Sequence, residues 1–348
     1  MKAKAHRQIA IWLYCGAATI IIQIILGGIT RLTGSGLSIT EWQPLLGTLP
    51  PMNTAAWQQS FDKYKEIAQF KIVNPHFTLE DYKSIFFWEW FHRNWARLMG
   101  LVFIIPFIVF VIRRQLSKKL LIQLLVLFLL GLLQAVIGWI MVKSGLNDTA
   151  IVVNDMKLAI HFIAAIILLC YIFWVAFSLS IKRERYNYSK KLKNFCLLII
   201  AVIFIQLFFG ALMAGSKAAL AAVTWPDING YLIPPELYQN GAAYSNSHLL
   251  WIQFIHRLLA YVLVVLIIIL YFKAAGWRKD KYLASIRIIP IIIVIVQAVL
   301  GIVTLLNVFS PHFKVYALLH QFIGMVLLIV LLHFYFMCSK KNGWITFI

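Results

Sequence analysis

The sequence predicts an all-α polytopic membrane protein of eight transmembrane helices, arranged as two pseudo-symmetric four-helix bundles. Three observations carry this expectation. Of 348 residues, 62% are apolar and only 13% charged, whereas a water-facing surface needs roughly 25–35% charged residues. Several apolar runs approach the roughly 20 residues that cross a bilayer as a helix. The runs are also continuous, unlike the alternating segments of about ten residues that build a membrane barrel. This excludes soluble enzymes and disordered chains. The mean hydropathy of +0.84 agrees.

In chain order the expected helices cover residues 9–28, 90–112, 119–142, 156–180, 194–214, 250–272, 285–307 and 314–337. An even number of spans puts both termini on one side. On that side lie Lys2, Lys4 and Arg7, Arg113 to Lys119, Lys182 to Lys193, Lys273 to Arg287, and Lys340 and Lys341. It carries 20 of the 32 cations with Glu184 and Asp280 as its only anions, leaving +18 of the net +20 there and +2 opposite. The positive-inside rule makes this side cytoplasmic. The basic charge therefore reads as topology and contact with anionic lipid, and nucleic acid is not expected as a partner. The long loops, 29–88 and 215–249, face outward with a shorter one at 143–155, so the functional chemistry is sought there. The first helix is too long for a signal core and lacks a cleavage site; with no transit peptide, the expected location is a bacterial inner (plasma) membrane. Cys15, Cys170, Cys196 and Cys338 lie in or beside the apolar runs, so no disulfide framework is expected; they read as small buried hydrophobes.

The two halves repeat one another. Each odd helix carries Gln-x-x-x-Gly: Gln23/Gly27, Gln134/Gly138, Gln206/Gly210 and Gln297/Gly301. Each even helix carries a histidine: His92, His161, His256 and His320. His92-Arg93 aligns with His256-Arg257, Gln134-Ala-Val-Ile-Gly138 with Gln297-Ala-Val-Leu-Gly301, and Glu41-Trp-Gln-Pro44 faintly with Thr224-Trp-Pro-Asp227. This describes a duplicated four-helix unit, residues 1–180 and 194–348, both copies in the same orientation. The Gln-x-x-x-Gly elements read as helix packing.

A lone intramembrane histidine is commonly a hydrogen-bonded core residue. Four at repeated positions, two per unit, are functional candidates because ionisable groups are costly in a membrane. All four even helices run inward with the histidine in their first turns, which places the sites toward the outer leaflet. Two histidines facing across a helical bundle suit axial ligation of haem iron. Zinc fits less well, since it wants three or four converging ligands. Arg93 and Arg257 follow their histidines and have two readings: charge-assisted forks on haem propionates, or snorkelling to headgroups. One position breaks the symmetry. Glu89 stands three residues before His92, and Gln253 three before His256; i and i+3 share a helix face. One site thus gains a carboxylate where its twin has the neutral isostere. A buried carboxylate with a raised pKa can move protons; the alternative places Glu89 at the water interface beside Trp88 and Trp90. His6, His76, His248, His312 and His333 lack partners in the repeat and read as structural or solvated.

Nearly the whole chain resembles the haem A synthase family. The residues that carry this are Gly27-Gly-Ile-Thr-Arg-Leu-Thr-Gly-Ser-Gly-Leu37, Glu41-Trp-Gln-Pro44, Glu89-Trp-Phe-His-Arg93, the other three histidines and the eight-helix duplication. The resemblance implies a membrane oxidoreductase that oxidises a methyl group of haem O to the formyl of haem A, by successive hydroxylations and loss of water. It implies a substrate-haem half with His92, His161, Arg93 and catalytic Glu89, and a half holding resident haem b through His256 and His320, with Arg257 beside them. Haem O synthase, terminal-oxidase assembly proteins and an electron acceptor are the implied partners. Residues 29–88 contain no cysteine, so the chain resembles the branch lacking a cysteine pair in the first outer loop. Two other classes compete. A di-haem cytochrome b-type electron carrier would place its haems near opposite faces, and a transporter would carry an acidic residue deep in a span.

Overall fold

The computed structural model describes residues 2–42, 46–182, 185, 187–238 and 247–339. Gln43 and Pro44 of the Glu41–Pro44 segment lie outside these, as do Arg183, Glu184, Lys340 and Lys341 from the charge count. Among the described residues the secondary structure is helical: α1 (Lys2–Leu32), α2 (Thr54–Lys65), α3 (Leu79–Ile112), α4 (Lys118–Lys143), α5 (Asp155–Ser180), α6 (Lys190–Ser216), α7 (Ser247–Lys273), α8 (Lys281–Leu306) and α9 (Phe313–Met337). All but α2 are long and apolar enough to cross a membrane, which makes eight candidate spans. The chain is a multi-pass α-helical membrane protein.

The helices begin where short polar side chains cap them. Ser117, Ser189 and Asp280 accept hydrogen bonds from the first backbone amides of α4, α6 and α8, which satisfies donors that have no intrahelical partner. α3 opens with a reciprocal capping box in which Thr78 and Asp81 bond each other's backbone amides. It therefore starts at Leu79, well before the apolar run expected to begin at residue 90. The amphipathic first turns of α3 escaped a reading tuned to continuous hydrophobicity. The consequence is that His92 and Glu89 lie well inside a helix rather than at its mouth. Pro106 within α3 and Pro290 within α8 are accommodated, as is common in membrane helices.

The chain divides into two units, residues 12–169 and residues 3–11 with 170–348. In the second, α6 packs on α7, α7 on α8, α8 on α9, and α9 back on α6, a closed four-helix ring. In the first, the segment between α1 and α3 folds over the start of α3. Phe61 and Tyr64 of α2 bury against Tyr82, Ile85 and Phe86 of α3, with Ile39, Trp57 and Phe70 around them. Tyr64 and Tyr82 are fully buried and stack at 5.3 Å. Each large side chain so buried contributes on the order of 1.5–3 kcal/mol, enough to hold the loop as a structured cap. Burial pushes the Tyr64 hydroxyl pKa up, and its polar tip is satisfied by Gln69 and Asn74. Tyr82 donates to the Ser38 carbonyl at 3.2 Å, which fixes the strip of loop lying over Glu89.

All four cysteines are free thiols; Cys196 and Cys338 are buried as expected, whereas Cys170 is only partly buried and Cys15 is exposed on α1. Cys338 is buried beside the end of α9, and that burial pushes its thiol up to about 12, so it is inert as a nucleophile.

Candidate functional site

The repeated glycines and histidines meet. A Cβ built on Gly27 of α1 would lie 3.4 Å from His92 Nε2 on α3; on Gly138 of α4, 2.8 Å from His161 Cε1 on α5. In the other unit a Cβ on Gly210 of α6 would lie 3.2 Å from His256 Cε1 on α7, and one on Gly301 of α8 2.9 Å from His320 Cε1 on α9. Each motif glycine thus lies beneath one of the four imidazoles; a Cβ at Gly138, Gly210 or Gly301 would crowd the ring, whereas at Gly27 it would make an ordinary contact. The glutamines four residues earlier share the same helix face. Gln134 Nε2 donates to the His161 carbonyl at 3.0 Å and lies 3.2 Å from its Nδ1. Gln206 and Gln297 place Nε2 at 3.5 and 3.4 Å from the Nε2 atoms of His256 and His320. The Gln-x-x-x-Gly elements therefore do more than pack helices: they address the histidines. The i, i+4 spacing was a visible signal for this, but the sequence does not pair the helices.

His256 and His320 face each other with ring centroids 6.4 Å apart and planes at 73°. Their Nδ1 atoms are buried and without a hydrogen-bond partner among the described residues. Two orphaned imidazole nitrogens on facing helices, over glycine floors, fit a planar metal macrocycle that supplies its own in-plane donors and takes one histidine from each side. Among the described residues no three His, Cys, Asp or Glu side chains cluster as a metal site, so a bare zinc centre of the usual kind has no ligand set here.

Glu89 is 2% exposed. Its Oε2 accepts from Ser38 Oγ at 2.8 Å and the Ile39 amide at 2.9 Å; its Oε1 accepts from Arg93 Nε at 3.1 Å and Nη2 at 2.6 Å. Four donors on two oxygens is the environment of an ionised, acceptor-only carboxylate. The interface placement beside Trp88 and Trp90 is thus replaced by a buried ion pair. Arg93 also donates to the carbonyls of Ile39 and Glu41. In this structure its guanidinium is taken up by Glu89 and the loop that follows α1.

The second unit repeats the pattern without the charge. Arg257 donates to the carbonyls of Asp227 at 2.7 Å and Thr224 at 2.8 Å, and Gln253 Nε2 to that of Ala222 at 2.7 Å. Asp227 accepts from the Gly230 amide, and this bond, with Thr224 alongside, holds its carboxyl below the usual range. Both arginines therefore fasten a loop to a histidine-bearing helix. The sequence could not foresee this role, because the acceptors are main-chain carbonyls with no residue signature.

The other histidines stand apart. His333 contacts Tyr282 and Phe177, His76 packs on Phe77, and His312 precedes α9.

Eight apolar helices, with four intrahelical histidines each lying against a glycine of a neighbouring helix, define a multi-pass membrane protein with imidazoles placed between its helices. Residues 10–332 match the cytochrome oxidase assembly protein family, COX15-CtaA, and the chain belongs to that family. It is 39% identical over 309 residues to a protein of Caulobacter sp. (strain K31) named "Heme A synthase", covering 88% of this chain and 90% of that one. A "Heme A synthase" of Caulobacter vibrioides is 38% identical over 335 residues, covering 95% and 96%. That of Nitrosomonas eutropha is 39% identical over 307 residues, 86% of each chain.

Proposed function

We propose that this protein is a haem A synthase: a membrane oxidoreductase that converts haem O to haem A. The observation that carries the reading is the set of four glycine-floored histidines, two in each unit, in a chain of this family. The two units are read as a duplication, residues 1–180 and 194–348, in support of which the same helix-to-helix Gly–His contact recurs four times.

In this reading His92 and His161 hold the substrate haem O, and His256 and His320 hold a resident haem b. Haem b held by His256 and His320 would supply one-electron redox capacity. The protein's part is placement and protection. Oxidising a methyl to a formyl removes four electrons from that carbon and releases protons, so the site needs a proton acceptor near it and an electron acceptor to take the electrons. Glu89, one helical turn before His92 on the same face, is a buried carboxylate; its twin Gln253 cannot take a proton, which supports placing the chemistry in the N-terminal half. The hydrogen bonds from Arg93 keep Glu89 aimed, and the loop segment Arg93 fastens covers Glu89. The sites lie toward the outer leaflet of a bacterial inner membrane, with both termini in the cytoplasm, in support of which cations crowd the N-terminal side. Haem O synthase and oxidase assembly proteins are the expected partners upstream and downstream.

The test separates the halves. Purified H256A/H320A protein should lose its resident haem b, whereas H92A/H161A should keep it and fail to turn over haem O. Loss of resident haem from the second variant instead would reverse the assignment.

A further inference from the structure

The four motif glutamines share an oddity. Among the described residues, the Oε1 atoms of Gln23, Gln134, Gln206 and Gln297 are buried without a hydrogen-bond partner. An orphaned buried carbonyl oxygen costs on the order of 1–3 kcal/mol, so one finding is notable and four at equivalent positions call for a reason. In the C-terminal unit the reason lies next to them. Gln206 and Gln297 present their amides to ring nitrogens at 3.5 and 3.4 Å. The amide of Gln297 is also bracketed from the far side: a Cβ on Gly324, four residues after His320, would lie 3.1 Å from its Nε2. Helices α8 and α9 thus interlock reciprocally, Gly301 under His320 and Gly324 under Gln297.

A neutral imidazole has one N–H and one lone pair, and the partner of one nitrogen decides the state of the other. With the amide NH2 toward the ring, the amide consumes the lone pair and leaves N–H on the opposite, buried nitrogen. That tautomer has nothing to offer a metal. With the amide turned about its last torsion, Oε1 accepts the ring N–H and the opposite nitrogen keeps its lone pair. The two amide ends are nearly isosteric, so the turn needs no repacking.

We infer that Gln206 and Gln297 are positioning residues for His256 and His320: each amide accepts the ring N–H through Oε1 and so fixes the tautomer and aim of an axial ligand. This rests on the reading of His256 and His320 as the haem b ligands. A hydrogen-bonded imidazole is the more basic ligand and favours the oxidised metal, so the two amides set both the orientation of the rings and the potential of the bound group.

The experiment uses the full-length protein purified with its haem b, read by spectroelectrochemical titration. Gln206→Leu and Gln297→Leu remove the acceptor at similar volume, and Gln297→Glu strengthens it. The Leu variants should retain haem b with a midpoint potential shifted positive, and Gln297→Glu should shift it negative. Gly324→Ala, which crowds the Gln297 amide without touching it chemically, should shift it positive as well. Leu variants that hold haem b at the wild-type potential would overturn the proposal. So would Leu and Glu variants that move the potential in the same direction, because packing alone would do that. Where a Leu variant loses its haem, the sign for Gln297→Glu decides: negative supports the role, unchanged or positive refutes it. Failure of the underlying reading is distinct, since H256A/H320A protein would then keep its haem.

Discussion

Gly138→Ala tests how closely the helices are fitted to the histidines. The added Cβ would lie 2.8 Å from His161 Cε1 and 3.4 Å from Nδ1. Carbon atoms pack no closer than about 3.5 Å, so the ring must retreat by about 0.7 Å or α4 must move away from α5. The ring is the tip of a side chain and gives way first, so the loss falls on aim more than on folding. Misplacement of a reacting group by about 1 Å costs on the order of 100-fold, which sets an expected loss of roughly 10- to 100-fold in haem A formation with protein levels near wild type. Two controls bracket it. Gly131→Ala is in the same helix with nothing within 4 Å of its new Cβ, and Gly27→Ala meets its histidine only at 3.4 Å, an ordinary contact; both should stay near full activity. The assay is extraction and chromatographic separation of haems from membranes normalised for protein. Wild-type output from Gly138→Ala, or equal losses in all three, would refute the argument that the glycine serves the imidazole.

Other consequences follow from the same contacts. Glu89→Gln removes the charge that pairs with Arg93 and should abolish haem A formation while the haem of the C-terminal unit stays bound; a normal haem A level would remove Glu89 from the mechanism. Arg257→Lys lacks the fork that spans the Thr224 and Asp227 carbonyls, and amide exchange in residues 217–231 should rise at least tenfold; unchanged exchange would count against the loop-fastening role. Asp227 has a folded pKa below its unfolded value, so its stabilisation of the loop is complete above about pH 4 and is lost as pH falls through the depressed value. Exchange at Gly230 should accelerate over that acid range in wild type and already be fast at neutral pH in Asp227→Asn.

The eight spans were legible because a bilayer demands long apolar helices, and composition alone meets that demand. The candidate ligands were legible because histidine is rare in such helices and the repeat marked four of them. What stayed hidden is everything decided by helix pairing. Gln206 and Gly210 looked like packing residues until α6 was seen against His256 on α7. The start of α3 was hidden for a different reason: its first turns, Leu79 to Trp88, are amphipathic and capped by Thr78 and Asp81 rather than continuously apolar. That shift moved Glu89 from an interface to an interior and supplied partners, Ser38 and Ile39, that lie some fifty residues earlier in the chain. The arginines were read through their charge, but the loop acceptors they hold are backbone carbonyls, which no sequence pattern announces.

The most direct measurement of the central claim is the haem content of a host that makes haem O but no haem A, with and without this chain. Haem A, or a hydroxylated haem O, should appear only when the chain is present, and should vanish in Glu89→Gln protein that is folded and still carries haem in its C-terminal unit. Haem O left unchanged by folded protein with confirmed haem O supply, together with two permanently bound haems reducible by quinol, would contradict the account and return the chain to the electron carriers.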